Sequence, residues 1–161
     1  MWDYWWVIGS LAALAIAAML SIWWPMRAAL KRSRLADARR NFHLQRERLE
    51  IKFIQLAQVN VKPGAPQWSD CDFENDVAYV RNRSTGELAA FVAVTITLAW
   101  DDFDDVSTHS ALENMRTGTA VFRFTRDRWE TDGVALLNLS PTEAIRFYRD
   151  NLEFVAQEVG K

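Results

Sequence analysis

Cys71 and the two histidines, His43 and His109, are the residues from which a nucleophile and its base could be built. A cysteine attacks only as its thiolate and needs a histidine or another cationic group to keep it ionised. Cys71 stands instead among Asp70, Asp72, Glu74 and Asp76, whose negative charge raises a thiol pKa. No orienting signature accompanies a Cys–His pair, with His43 on a charged helical stretch and His109 in a polar loop. Asp101, Asp102, Asp104 and Asp105 around Phe103 could hold Ca²⁺ or Mg²⁺. They lack the alternating Asp loop with its glycine and distant glutamate, so a solvated turn at a strand end accounts for them better.

Arg123, Arg126 and Arg128 beside Phe124 and Trp129 could stack on a nucleotide or a lipid headgroup. A hairpin with alternating faces explains the same pattern. No glycine-rich phosphate loop, nucleophile elbow or metal-ligand spacing is present. The sequence therefore predicts no enzyme, no cofactor and no metal site. A single cysteine also permits no intramolecular disulfide, which agrees with a reducing compartment.

The element from which everything else is positioned is the opening segment. Tyr4 to Trp24 spans 21 residues with no charge and no proline. As an α-helix it covers roughly 31 Å, close to the ~30 Å of a hydrocarbon core. Trp2, Trp5 and Trp6 at one end and Trp23 and Trp24 at the other sit where interfacial aromatic belts are expected. Only Asp3 precedes the span, and Arg27, Lys31, Arg32, Arg34, Arg39 and Arg40 follow it. The positive-inside rule then predicts a single-pass anchor in the inner membrane, amino terminus outside and the C-terminal domain cytoplasmic. A cleaved signal peptide would carry its positive charge on the other side and small residues at the cleavage site. Gly9, Ala13, Ala17 and Ser21 recur every four residues, a small face that lets another helix approach closely. The expected partners are the lipid bilayer and other integral membrane subunits, identical or different.

Charge is unevenly distributed along the 161 residues, whose net charge is −2. Residues 27–52 carry nine Lys/Arg against three Asp/Glu, and residues 53–161 ten against seventeen. A basic stretch beside the anchor suits an anionic leaflet. It does not suit a nucleic-acid binder, whose basic patch would lie on the folded domain. The excess of arginine over lysine hints at a GC-rich bacterial source.

Residues 27–58 contain neither proline nor glycine beyond the anchor's end and read as a long juxtamembrane helix. Leu35, Phe42, Leu49 and Leu56 recur every seven residues as a partner-docking seam. The intervening Ala38, Gln45 and Lys52 make a poor coiled coil, so the seam is expected to lie against its own domain or a neighbouring subunit. Pro63, Gly64 and Pro66 mark residues 59–76 as a linker.

From Val77 the period changes to two. Val77–Arg83 and Glu87–Trp100 read as strands joined by a turn at Ser84–Gly86. A polar connection follows, with a helical turn near Ala111–Met115. Thr119–Thr125, Arg128–Thr131 and Val134–Leu139 read as further strand. Ser140, Pro141 and Glu143 form a helix start with a capping box. Ile145, Tyr148, Leu152, Val155 and Val159 then continue at helical spacing to the end.

The predicted fold class is α+β: a transmembrane helix (1–26), a juxtamembrane helix (27–58), a linker (59–76), and about four antiparallel strands with a C-terminal helix on one face (77–161). In element order this domain resembles the helix-plus-curved-sheet plan of cystatin-like and NTF2-like domains. The expected function is a non-catalytic accessory subunit of a larger membrane complex, respiratory or photosynthetic for example. The alternative is a tethered small-ligand or sensor module, whose pocket on the concave sheet face would be lined by Phe91, Phe122, Phe124 and Trp129.

Overall fold

The computed structural model describes the backbone of residues 4–60, 67–99 and 115–160, with side chains from residue 33 onward and those of Leu14, Met19 and Ser21. Trp2, the Pro63–Pro66 linker, the acidic group Asp101–Asp105, His109 and the expected turn near Ala111 lie outside these residues. The chain divides into two units, Met1–Arg40 and Asn41–Lys161.

One helix, α1 (Tyr4–Val59), runs through 56 residues, including the position of Pro25. No break separates the stretch expected in lipid from the charged stretch that follows. The anchor is corrected here: among the described residues no helix is long and apolar enough to cross a membrane. The single-pass topology and the inner-membrane placement fall with it. The physical reason lies in the composition of the segment. Its strongly aliphatic part, between the tryptophans, is Val7–Ile22, diluted by Gly9, Ser10 and Ser21. That is about 24 Å of helix against the ~30 Å required. The bracketing tryptophans and tyrosine are amphipathic and do not extend it.

The sheet is also larger than expected. Among the described residues it has six strands: β1 (Gln67–Asn82), β2 (Leu88–Ala99), β3 (Met115–Thr125), β4 (Arg128–Glu130), β5 (Ala135–Leu137) and β6 (Leu152–Glu158). The order is β4-β3-β2-β1-β6, with β5 also paired to β3, and every pairing is antiparallel. The β1–β2 turn forms because Asn82 Oδ1 accepts from the backbone of Ser84 and Thr85, and Gly86 supplies a φ of +75°. β1 begins ten residues before Val77, its first half exposed and half-buried in alternation.

The C-terminal helix is corrected too. The capping box is present: Ser140 Oγ accepts from Glu143 N, and Glu143 reaches back to Ser140 N. Yet α2 (Pro141–Phe147) is only seven residues long. The chain turns at Tyr148–Asn151, where Asn151 N and Leu152 N both donate to Tyr148 O, and then leaves as β6. The run Leu152-Glu153-Phe154-Val155-Ala156 alternates as well as it winds, and its β-branched and aromatic residues favour the extended form. The open edge of β1 supplies a ladder, and the strand wins.

The two faces of the sheet hold separate cores. On one, Phe42, Leu49, Phe53 and Ala57 of α1 are buried. The Phe42 ring meets Tyr79, Phe122 and Trp129 at centroid distances of 6.1, 5.5 and 4.9 Å, and Phe53 meets Phe73 at 5.6 Å. On the other face, Ala78, Val80, Phe91 and Ala144 of α2 cluster with Val121, Leu136, Leu139 and Ile145.

Candidate functional site

The alternation of the strands divides the residues expected to line a ligand pocket. Ala90 pairs with Phe122 and Phe91 with Val121, so Phe91 faces α2 while Phe122 faces α1. Phe124 stacks on Trp129 with ring centroids 5.1 Å apart, and Trp129 in turn meets Phe42. The α1 face is therefore filled by aromatic rings from the chain's own helix, and the four residues do not surround one space. Of the heptad seam, Phe42 and Leu49 are buried, and Leu35 and Leu56 are half-buried. Phe53 and Ala57 complete the buried row at helical spacing. The side chains of Gly9, Ala13, Ala17, Trp5, Trp6, Trp23 and Trp24 lie outside the described ones, and Ser21 is exposed.

Polar contacts fasten α1 to the sheet at three places. Arg46 donates from Nη1 to Asn75 O at 3.2 Å and from Nη2 to Glu74 O, and from Nε to Glu50 at 2.7 Å. Glu74 and Asn75 sit where the β1–β2 register shifts between Phe73 and Val77. Carbonyls released from the ladder by that bulge find their donor in Arg46. His43 Nε2 lies 2.6 Å from Glu158 Oε2, which also accepts from Tyr79 Oη at 3.1 Å. His43, Tyr79 and Glu158 thus join α1, β1 and β6. Near the end of α1, Gln58 donates to Trp68 O and Asn60 to Asp132 O.

Among the described residues the Cys–His pair weighed in the sequence does not assemble. His43 is engaged by Glu158 and forms no hydrogen bond with Cys71. Burial, and secondly the charge of Asp70, push the Cys71 thiol up to about 11, so at neutral pH it is a thiol and a poor nucleophile. Asp70 Oδ1 accepts from Cys71 N, and Asp76 Oδ1 from Gly160 N. Among the described residues no three His, Cys, Asp or Glu side chains are placed to hold a metal ion. Arg123 pairs with Asp132 at 3.0 Å while Phe124 and Trp129 point to α1, so this segment is a two-faced hairpin.

What the α2 face does offer is a hollow of about 410 Å³ floored by Ala78 and Ala93 and rimmed by Thr95, Thr117, Asn138 and Gln157. Three carboxylates border it, Glu74, Asp76 and Glu143. Two of these are committed to the fold: Asp76 to Gly160 N, and Glu143 to the cap. Hydrogen bonds from the Ser140 backbone and hydroxyl hold the Glu143 carboxyl below its usual range. A carboxylate so held has no proton to donate at neutral pH.

No known protein family, curated protein or solved structure matches the chain.

The geometry therefore has to speak alone, and it consists of surfaces. Leu14 is 69% exposed and Met19 76% exposed on α1, within the uncharged stretch. On the α2 face of the sheet, beside the first hollow, a second one between α2 and β6 is lined by arginines and apolar side chains. Sequence reasoning missed it because its residues come from a loop, a helix and a strand that was read as helix.

Proposed function

We propose that this chain is a non-catalytic assembly subunit that docks on another polypeptide through the first half of α1. The observation that carries the reading is the exposure of Leu14 and Met19 on a stretch that has no charge between Tyr4 and Trp24. Covering one such side chain is worth ~1.5–3 kcal/mol, and exposed apolar patches are where proteins meet partners. Gly9, Ala13, Ala17 and Ser21 lie four apart along the same helix. Rows at that spacing are the ridges and grooves through which helices pack, and small residues let the axes come close. The sheet domain contributes a rigid body locked onto the later part of α1 by the Phe42 and Phe53 rings.

A photo-crosslinking residue placed at Ala13 or Ala17 in the full chain, expressed in its native cell, tests the reading. It is expected to give discrete protein adducts of higher mass, while the same group at exposed Gln157 gives none. Absence of any protein adduct from both α1 positions would overturn it.

A further inference from the structure

The hollow between α2 and β6 supports a separate binding role that does not depend on α1. Its volume of about 480 Å³ lies within the range typical of small-molecule sites. Arg83, just past β1, forms one wall. Ile145, Arg146 and Arg149 come from α2 and the turn after it, and Leu152 and Phe154 from β6. The register places both β6 residues on the α2 side, since Phe154 is opposite Val80 and Leu152 opposite Asn82. Ile145 and Leu152 pack against the buried Val80–Phe91–Ala144 cluster, and the Phe154 ring beside them is 52% exposed.

Ala78, Ile145, Leu152 and Phe154 thus give the hollow an apolar part, Thr142 and Gln157 add two neutral polar groups, and the charged groups are all cationic. Three arginines border the hollow and no carboxylate does, in a segment, residues 53–161, where acidic residues outnumber basic ones seventeen to ten. Arg83 is fixed in place: its Nε donates to the carbonyls of Arg149 and Leu152, both at 3.3 Å, and its backbone N to Asn151 O at 2.8 Å. Neither Arg146 nor Arg149 forms a salt bridge among the described residues. The Arg146 charge acts on the neighbouring Glu143 carboxylate, yet three guanidinium groups border one hollow, and an anion relieves their mutual repulsion through paired N–H donors.

We propose that this hollow binds a small amphipathic anion. Its apolar body lies on Ile145, Leu152 and Phe154, and its carboxylate, sulfonate or phosphate is held by Arg83, Arg146 and Arg149. The size of the space and the apolar side chains of Ile145, Leu152 and Phe154 along it favour an aromatic or branched organic acid over a bare inorganic ion. The test follows backbone amide shifts of the full chain during titration with 1-naphthoate, with 1-naphthalenemethanol as the neutral counterpart and inorganic phosphate as the anion without a body.

Naphthoate is expected to give saturable shifts at Arg83, along Ile145–Arg149 and at Leu152–Phe154, with both comparison compounds about tenfold weaker or more. The double substitution Arg146→Gln with Arg149→Gln, both exposed positions, is expected to weaken naphthoate about tenfold. In the unaltered chain, rising salt weakens naphthoate and leaves the alcohol unchanged, which keeps the test independent of any variant's folding. Equal binding of acid and alcohol, or shifts confined to other residues, would overturn the proposal. So would salt-independent binding. Phosphate binding as tightly as naphthoate would overturn the apolar half and identify a bare anion site.

Discussion

Cys71 shows how position in a strand decides the chemistry of a side chain. It lies on β1, half-buried, with the Asp70 carboxylate beside it, and its thiol is raised from 9.0 to about 11. A shift of that size leaves roughly a hundredfold less thiolate at neutral pH than an ordinary cysteine has. Alkylation by iodoacetamide, followed by mass spectrometry, is expected to be slower than that of free cysteine by about that factor. The rate should climb steadily as pH rises toward 11, because the raised pKa keeps the proton on until then. Asp70→Asn removes the smaller of the two causes and is expected to recover only part of the rate. The direction of this shift was legible in the sequence from the four neighbouring carboxylates. Its larger cause, burial, was not, because Pro63, Gly64 and Pro66 made residues 59–76 read as a linker and hid the start of a strand. The partner of His43 was equally hidden. Glu158 lies 115 residues away, and only the unforeseen strand β6 brings it across.

At the scale of elements, α1 and the β4–β5 connection illustrate a contact made by the absence of a side chain. Gly133 has a φ of +70°, and a Cβ built on it would lie 2.6 Å from Ala57 N and 2.7 Å from Leu56 Cβ. Gly86 has a similar φ of +75° but open space around it. Gly86→Ala is expected to cost about 1 kcal/mol, the conformational penalty alone. Gly133→Ala should cost more, by about 1–3 kcal/mol of overpacking, since α1 backbone must shift to admit it. Urea midpoints of the two variants check the difference, and equal losses would mean the close approach is not tight. Asp132-Gly133 was readable as a bulge or turn; that it abuts α1 was not, because no local pattern encodes which helix crosses above it. The same limit explains β6. Leu152, Val155 and Val159 satisfy a helical period while Phe154 and its neighbours satisfy an alternating one. Only the vacant ladder of β1 decides between them. Long unambiguous signals, such as the β1–β2 hairpin with Gly86 at its turn and the Ser140 cap, are found where the sequence placed them.

At the scale of the whole molecule, the two cores on either side of the sheet are unequal. The α1 side is built from Phe42, Phe53, Tyr79, Phe122 and Trp129, drawn from α1, β1, β3 and β4. Phe42→Ala removes the ring that touches three of these strands and is expected to cost about 3–5 kcal/mol, a large share of the ~5–15 kcal/mol that holds a domain together. Leu44→Ala, 75% exposed two residues along the same helix, is expected to stay within about 0.5 kcal/mol. Thermal or denaturant unfolding of both variants measures the contrast. The α2 side is thinner: a seven-residue helix places its buried Ala144 on Ala78, Val80 and Phe91, and both hollows lie on this side.

The seat of β6 beside β1 also bears on how the chain is made. β1 and β2 can pair as soon as both emerge from the ribosome, but β1 keeps one bare edge until Leu152–Glu158 has been synthesised. Until then the nascent protein offers the row of unpaired amides from Val77 to Asn82 to any neighbouring strand. Polypeptides whose translation stalls short of Leu152 should be the ones that chaperones retain and that co-aggregate through β1.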